Sequence, residues 1–343
     1  MVTSGGAADD HPEIWITYLN RLDARTLALT DDEILAAVEH GLRLQGNGEA
    51  VIEPRVHLEP RAANGHFNVL RGALGADVDL AGVKVVGDFV DNWRLGLPSE
   101  LATLTLMSRQ TGAPQAILDA SGITDMRTGA VTAIGARHLA RPDARVLAHI
   151  GARGTSYWNV RLLHRIFGFT QVRVHSARAE SRDAFAARLR EELGTDVIAT
   201  DDWESCVRGA DIVVEASRLT QPTPLLKTEW ISPGACVIPY GTMSAVELDL
   251  LSIVDKVVVD DWGQCKGGKF GSLRAHVEAG LLTETSLHGE LCDLVVGRRP
   301  GRQSPSETNL LWHRGLSLSD IALGHAMLDK ARRLGIGQRL RYA

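Results

Sequence analysis

From Arg145 onward the chain repeats one pattern that few architectures accommodate: short, nearly continuous apolar runs, most of them separated by helical stretches. RVLAHIG (145–151), QVRVHSA (171–177), DVIAT (196–200), DIVVEAS (211–217), ACVIPYG (235–241) and KVVVDDW (256–262) each have strand length and branched composition. A strand apolar on both sides must be covered on both faces, and helices between such strands make the sheet parallel. The expected fold class is therefore α/β, with a Rossmann-type doubly wound parallel sheet over residues 143–305.

The flanks differ. AGVKVVGDF (81–89), ELATLTLM (100–107) and APQAILDA (113–120) are short β-type runs punctuated by Gly or Pro, and RTGAVTAIGARHLA (127–140) has helical character. Thr30-Asp-Asp-Glu33 has the form of a capping box ahead of Ile34, Leu35, Val38 and Leu42 at helical spacing. LSLSDIALGHAMLDKARRLG (316–335) predicts one long amphipathic helix. At 343 residues the chain exceeds one ordinary core. The economical arrangement is a discontinuous α+β substrate and dimerisation domain, 14–142 plus 306–343, into which the nucleotide domain is inserted.

The net charge of −5 argues against a nucleic-acid surface, which needs a basic excess. No stretch reaches the roughly 20 apolar residues of a membrane span. MVTSGGAADDHPE lacks the basic start and apolar middle of a secretion signal, so the cytoplasm is the expected address. Cys206, Cys236, Cys265 and Cys292 show no C-x-x-C spacing, and are expected to be core residues rather than metal ligands or disulfide partners.

The strand at 145–150 runs into Gly151-Ala152-Arg153-Gly154-Thr155-Ser156 and then a helical segment. A glycine turn between strand and helix lets a pyrophosphate sit on free N–H groups at the helix start. Arg153 stands where the second glycine of G-x-G-x-x-G is usual; Gly154 can supply the close approach one step later. At the end of the next strand, where an NAD site places an acid for the ribose, the chain has Ser176, Ala177 and Arg178. The expected cofactor is NADP(H) or NAD(H), with NADP(H) preferred; the plainer reading makes Arg178 a solvated loop charge.

The whole chain from about Ile16 resembles the ornithine cyclodeaminase/μ-crystallin family. The resemblance rests on Gly-Val-Lys84, on Met126-Arg127-Thr128-Gly-Ala-Val-Thr-Ala and on Gly315-Leu-Ser-Leu-Ser-Asp320. Asp255-Lys-Val-Val-Val-Asp-Asp-Trp-Gly-Gln-Cys265, Leu287-His-Gly-Glu-Leu and Pro300-Gly-Arg302 look closest to the branch that includes N-(2-amino-2-carboxyethyl)-glutamate dehydrogenase. It implies a homodimer and a small amino-acid or imino-acid substrate. It also implies that Arg55, Lys84 and Arg127 converge on the substrate carboxylate and reacting carbon, with Thr128 beside the cofactor. A carboxylate suits a planar bidentate donor, and a desolvated lysine can relay a proton. Arg61 and Arg71 lie near Arg55 and compete for its place. His313, just before the last helix, is a candidate proton donor or an ordinary buried histidine. Asp88 to Arg94 either shapes substrate choice or forms a polar turn.

One departure bears on chemistry. Cyclodeaminases of this family carry an aspartate where this chain has Gly241, and no carboxylate lies between Ser232 and Ala245. Tyr240 and Thr242 are poor bases near neutral pH. The expected activity is NAD(P)-dependent hydride transfer at the α-carbon of a small amino acid or its imine. The alternatives are a cyclodeaminase that recycles its NAD, and a non-enzymatic μ-crystallin-like binding protein.

Overall fold

The computed structural model describes residues 12–60 and 64–343. One sheet takes β1 (Trp15–Leu19), β2 (Ala50–Leu58), β3 (Gly65–Leu74), β4 (Leu80–Phe89), β5 (Glu100–Ser108) and β6 (Pro114–Asp119). A second takes β7 (Val146–Ile150), β8 (Gln171–His175), β9 (Asp196–Ala199), β10 (Ile212–Glu215), β11 (Cys236–Pro239), β12 (Lys256–Val259), β13 (Gly289–Glu290) and β14 (Asn309–Trp312). The final strand, β15 (Gln338–Arg341), returns to the first sheet beside β1. The orders are β15-β1-β6-β5-β4-β3-β2 and β13-β12-β14-β11-β10-β7-β8-β9. Every pair in the second sheet is parallel, as continuous apolar strands require.

The second sheet runs past the boundary expected at 305, because β14 inserts between β11 and β12. Asn-Leu-Leu-Trp is too short a run to mark itself as a central strand. Ahead of Thr30, the structure adds β1 and a helix Arg21–Leu27. The Thr30 capping box is formed, with Thr30 Oγ1 accepting from Glu33 N at 3.2 Å and Glu33 Oε2 from Thr30 N at 2.7 Å. The four cysteines are buried and free. Among the described residues no helix is long and apolar enough to cross a membrane.

The helix expected from Arg127 begins at Ser121 and ends at Leu139. Nothing in its first turn caps it with a side chain, which is why its start was not legible. Arg127 therefore sits in the second turn, where the helix dipole and the free N–H groups of a helix start do not reach. This helix joins the two sheets. A Cβ on Gly129 would lie 2.5 Å from the carbonyl carbon of Trp158 and 2.6 Å from its oxygen, in the helix Ser156–Phe167. The two backbones touch because position 129 has no side chain.

Gly129→Ala gains about 1 kcal/mol of helix propensity but must push a backbone aside, so a net loss of about 1–3 kcal/mol is expected. Urea unfolding measures it; a variant as stable as the wild type would show that the helices are not pinned at this point.

Candidate active site

Lys84 lies in β4, an interior strand of its sheet, paired across to Leu70 and Leu104. Its side chain points into that apolar face and is 1% exposed, so it is no edge charge. Nζ donates to Asp320 Oδ1 at 2.6 Å and to Thr124 Oγ1 at 3.1 Å. Arg127 Nε donates to the same Asp320 oxygen at 3.0 Å. Asp320, fully buried on the last helix, Ser317–Leu334, thus holds two cations with one oxygen, while its Oδ2 has no partner among the described residues. Burial drives the Lys84 ammonium down to about 8, against the pull of Asp320 and with Arg127 repelling it.

Arg55 reaches the same place from β2. Its Nη2 donates to the carbonyls of Arg314 and of Gly315, the latter at 2.9 Å, while buried Nε has no partner. Burial, then repulsion from Arg314 and Arg127, lower its pKa to about 10, so it stays charged at neutral pH. Arg71 turns away to Glu53 and the Pro54 carbonyl at the surface, and Arg61 lies outside the described residues. Gly315, at φ +81°, lets Arg127 lie flat on the backbone; a Cβ there would meet Nη1 at 1.8 Å. Lys84, Arg127 and Arg55 face the Asp320 carboxylate, with buried Asp260 also attracting Arg55, which leaves excess positive charge beside uncommitted guanidinium donors. A substrate carboxylate answers both needs.

The second half of the site is the turn after β7. Gly151 has φ +115°, and a Cβ there would meet the Ala216 carbonyl oxygen at 2.8 Å, so the turn tolerates no side chain. No side chain caps the helix that starts at Ser156, leaving first-turn N–H groups for a phosphate. Arg153, Gly154 and Arg178 line a cleft of about 1980 Å³ that also reaches Thr124, Asp125 and Thr242. Arg153 and Arg178 are exposed, with no partner among the described residues. These features fit a dinucleotide. The hydroxyls of three residues expected at the cofactor bond within the protein: Ser156 Oγ donates to the Arg153 carbonyl at 2.8 Å, Thr155 Oγ1 bonds Tyr240 Oη at 2.7 Å, and Thr128 Oγ1 donates to the Thr124 carbonyl at 2.7 Å. Ser176 follows β8 next to the turn, where Gly151 N donates to the His175 carbonyl.

His313 is placed near the clamp but not as a proton donor. Its Nε2 meets Thr132 Oγ1 at 2.9 Å, its ring stacks on Tyr240 at 4.6 Å, and burial with Arg127 nearby lowers its pKa to about 3. It is neutral at physiological pH. The segment after β4 forms a surface turn, with Arg94 paired to Asp91, while Asp88 is bridged to Arg218 of the other sheet's loops at 2.6 Å. Gly241 has a structural reason. A Cβ there would lie 2.5 Å from Glu215 Oε1, at the end of the neighbouring strand β10. Glu215 is fully buried and accepts from Ser217 N (2.7 Å), Ser272 Oγ (2.7 Å) and Gly241 N (3.3 Å). A search along the chain for a carboxylate near 241 misses Glu215 because it arrives from the adjacent strand, and it is sealed off from the cleft.

The sequence profile of the ornithine cyclodeaminase/mu-crystallin family matches residues 17–334. The chain belongs to that family. It is similar to the N-((2S)-2-amino-2-carboxyethyl)-L-glutamate dehydrogenase of Staphylococcus aureus, 27% identical over 94% of this chain and 97% of that one. Among solved structures it resembles the Delta(1)-pyrroline-2-carboxylate reductase of Thermococcus litoralis in complex with NADH and L-proline, at 26% identity and TM-score 0.86, covering 94% and 99% of the two chains. It also resembles an archaeal alanine dehydrogenase dimer with bound NAD, at 27% identity and TM-score 0.88, covering 96% and 100%. These fold matches extend through both sheets, so this member of the ornithine cyclodeaminase/mu-crystallin family shares the whole two-sheet architecture.

Asp320→Asn keeps the shape and one acceptor but removes the charge that balances Lys84 and Arg127. Leaving buried cations uncompensated should cost about 3–5 kcal/mol of unfolding free energy. A loss under about 1 kcal/mol in denaturant titration would mean that solvent, not Asp320, balances them.

Proposed function

We propose that this chain is an NAD(P)-dependent oxidoreductase that interconverts a small amino acid and its imine at the α-carbon. The observation that carries the reading is the buried Arg55–Lys84–Arg127 cluster around Asp320, with uncommitted guanidinium nitrogens, beside the cleft that holds the Gly151 turn. When bound, the dinucleotide supplies or takes the hydride. Arg55 and Arg127 hold the substrate carboxylate, and Lys84 adds positive charge at the reacting end. The packed sheet face around Leu70 and Leu104 excludes water there. Glu215 sealed beneath Gly241 leaves no accessible carboxylate at the position where cyclodeaminases of this family carry theirs, which counts against ring-closing deamination. The relatives that act on alanine, pyrroline-2-carboxylate and an amino-carboxyethyl glutamate support redox at an amino-acid α-carbon.

Arg153 and Arg178 on the cleft wall, and the lack of an acid at Ser176 and Ala177, favour NADP(H) over the NAD(H) seen in the solved relatives. The exposed Val51, Val56 and Leu58 on edge strand β2, and the dimeric alanine dehydrogenase relative, support a homodimer.

A panel of α-amino and α-imino acids, followed at the nicotinamide absorbance, tests the function. Stoichiometric cofactor turnover with at least one substrate is expected; proline from ornithine with no net cofactor change would favour the cyclodeaminase reading. In the same assay Arg178→Ala should weaken NADPH by about 1–3 kcal/mol, or roughly 10–100-fold, and leave NADH nearly unchanged. Tighter wild-type binding of NADH than of NADPH would contradict the preference.

A further inference from the structure

Moving a hydride to or from a carbon–nitrogen double bond requires one proton at the nitrogen for each hydride at the carbon. Several groups near the clamp are committed elsewhere. Lys84 commits two of its three protons to Asp320 and Thr124. His313 is neutral and bonded to Thr132. The Tyr240 phenol is pushed well up by burial and sits between Thr155 and Asn159. Glu215 lies sealed under Gly241.

Asp125 is different. It is half-buried, lines the cleft with Thr124, Met126, Gly154 and Trp158, and has no hydrogen-bond or ion-pair partner among the described residues. It follows Thr124, which receives the Lys84 bond, and precedes Arg127 by two residues on the same helix. One turn further along that face is Gly129, whose backbone touches Trp158 of the nucleotide helix. Asp125 therefore opens into the cleft between the helix that carries Thr124 and Arg127 and the nucleotide turn at Arg153 and Gly154.

We propose that Asp125 is the catalytic acid and base of this site, exchanging the proton of the substrate nitrogen. In reduction, the hydride pair from a dihydronicotinamide dinucleotide makes the new C–H bond. The C=N π pair takes the Asp125 proton to make the N–H bond. The substrate is reduced by two electrons, the dihydronicotinamide is oxidised by two, and the carboxylate left behind recovers its proton from cleft water. Oxidation of the amine runs the same steps backward, with the Asp125 carboxylate as acceptor. This inference rests on the redox reading of the same site.

The electrostatic setting suits the role. Burial, then the charge of Glu100 on β5, raise the Asp125 carboxyl to about 6, against Arg127 on its own helix and Lys84 on β4. Glu100 is itself paired with Arg218 at 2.9 Å. The acid form donates, so kcat/KM for reduction should fall as pH rises through about 6; the carboxylate accepts, so kcat/KM for oxidation should fall as pH drops through about 6.

The test compares wild type, Asp125→Asn, Asp125→Glu and Glu100→Gln as full chains, with nicotinamide binding by fluorescence and kcat/KM against pH. Asp125→Asn is expected to lose about 100-fold or more in kcat/KM with dinucleotide affinity nearly unchanged, and Asp125→Glu to recover part of it. Glu100→Gln should move the pH limb to lower pH, because a charge that raises Asp125 is gone. An Asp125→Asn enzyme with at least about a third of wild-type kcat/KM and an intact pH limb overturns the proposal while leaving the redox reading standing. Should Asp125→Asn fail to fold, an unmoved limb in Glu100→Gln overturns it instead. A wild type that turns over no amino or imino acid overturns the redox reading and the proposal with it.

Discussion

One carboxylate oxygen, Asp320 Oδ1, accepts from both Lys84 and Arg127 in a place with no water-exposed surface. Burying charge is tolerable only when it is paired and hydrogen-bonded, and here Lys84 and Arg127 share one carboxylate oxygen. The chain achieves this by returning late to its first sheet. The last helix lays Asp320 across β4, and β15 closes the same sheet at the far edge. Arg55 then adds a third cation, tied only to backbone carbonyls. The result is an excess of positive charge, and an α-carboxylate fits it in sign.

The helix Ser121–Leu139 links that balance to the cofactor. It carries Thr124, Asp125 and Arg127 on its first two turns, and Gly129 locks it against the helix that follows the Gly151 turn. Because the backbones touch, the spacing between Arg127 and the Gly151 turn is set by van der Waals contact rather than by flexible side chains. That rigidity is what near-attack placement of a carbon against a ring demands.

Much of this was legible in the chain. The six apolar strands, the Gly151 turn, Lys84, Arg127 and the Arg55 segment follow from hydrophobic continuity, glycine chemistry and family resemblance. What stayed hidden was pairing across sequence distance. Asp320 stands inside the recognised Gly315–Asp320 motif, yet nothing in that motif says it meets Lys84, 236 positions earlier. Glu215 fills the space above which Gly241 must stay bare, and only strand register brings them together. The uncapped start of the Arg127 helix and the four-residue β14 lacked local signals altogether.

On the proposed reading, the Arg55–Lys84–Arg127 cluster is a carboxylate receptor completed by substrate. The most direct measurement is the affinity of the dinucleotide-bound enzyme for a substrate amino acid against its primary amide, by competition in the turnover assay. The two ligands differ only in the group the cluster would receive. A lost charge-assisted contact is worth about 1.5–3 kcal/mol, so the amide should bind at least about 10-fold more weakly. Equal affinities would contradict the account.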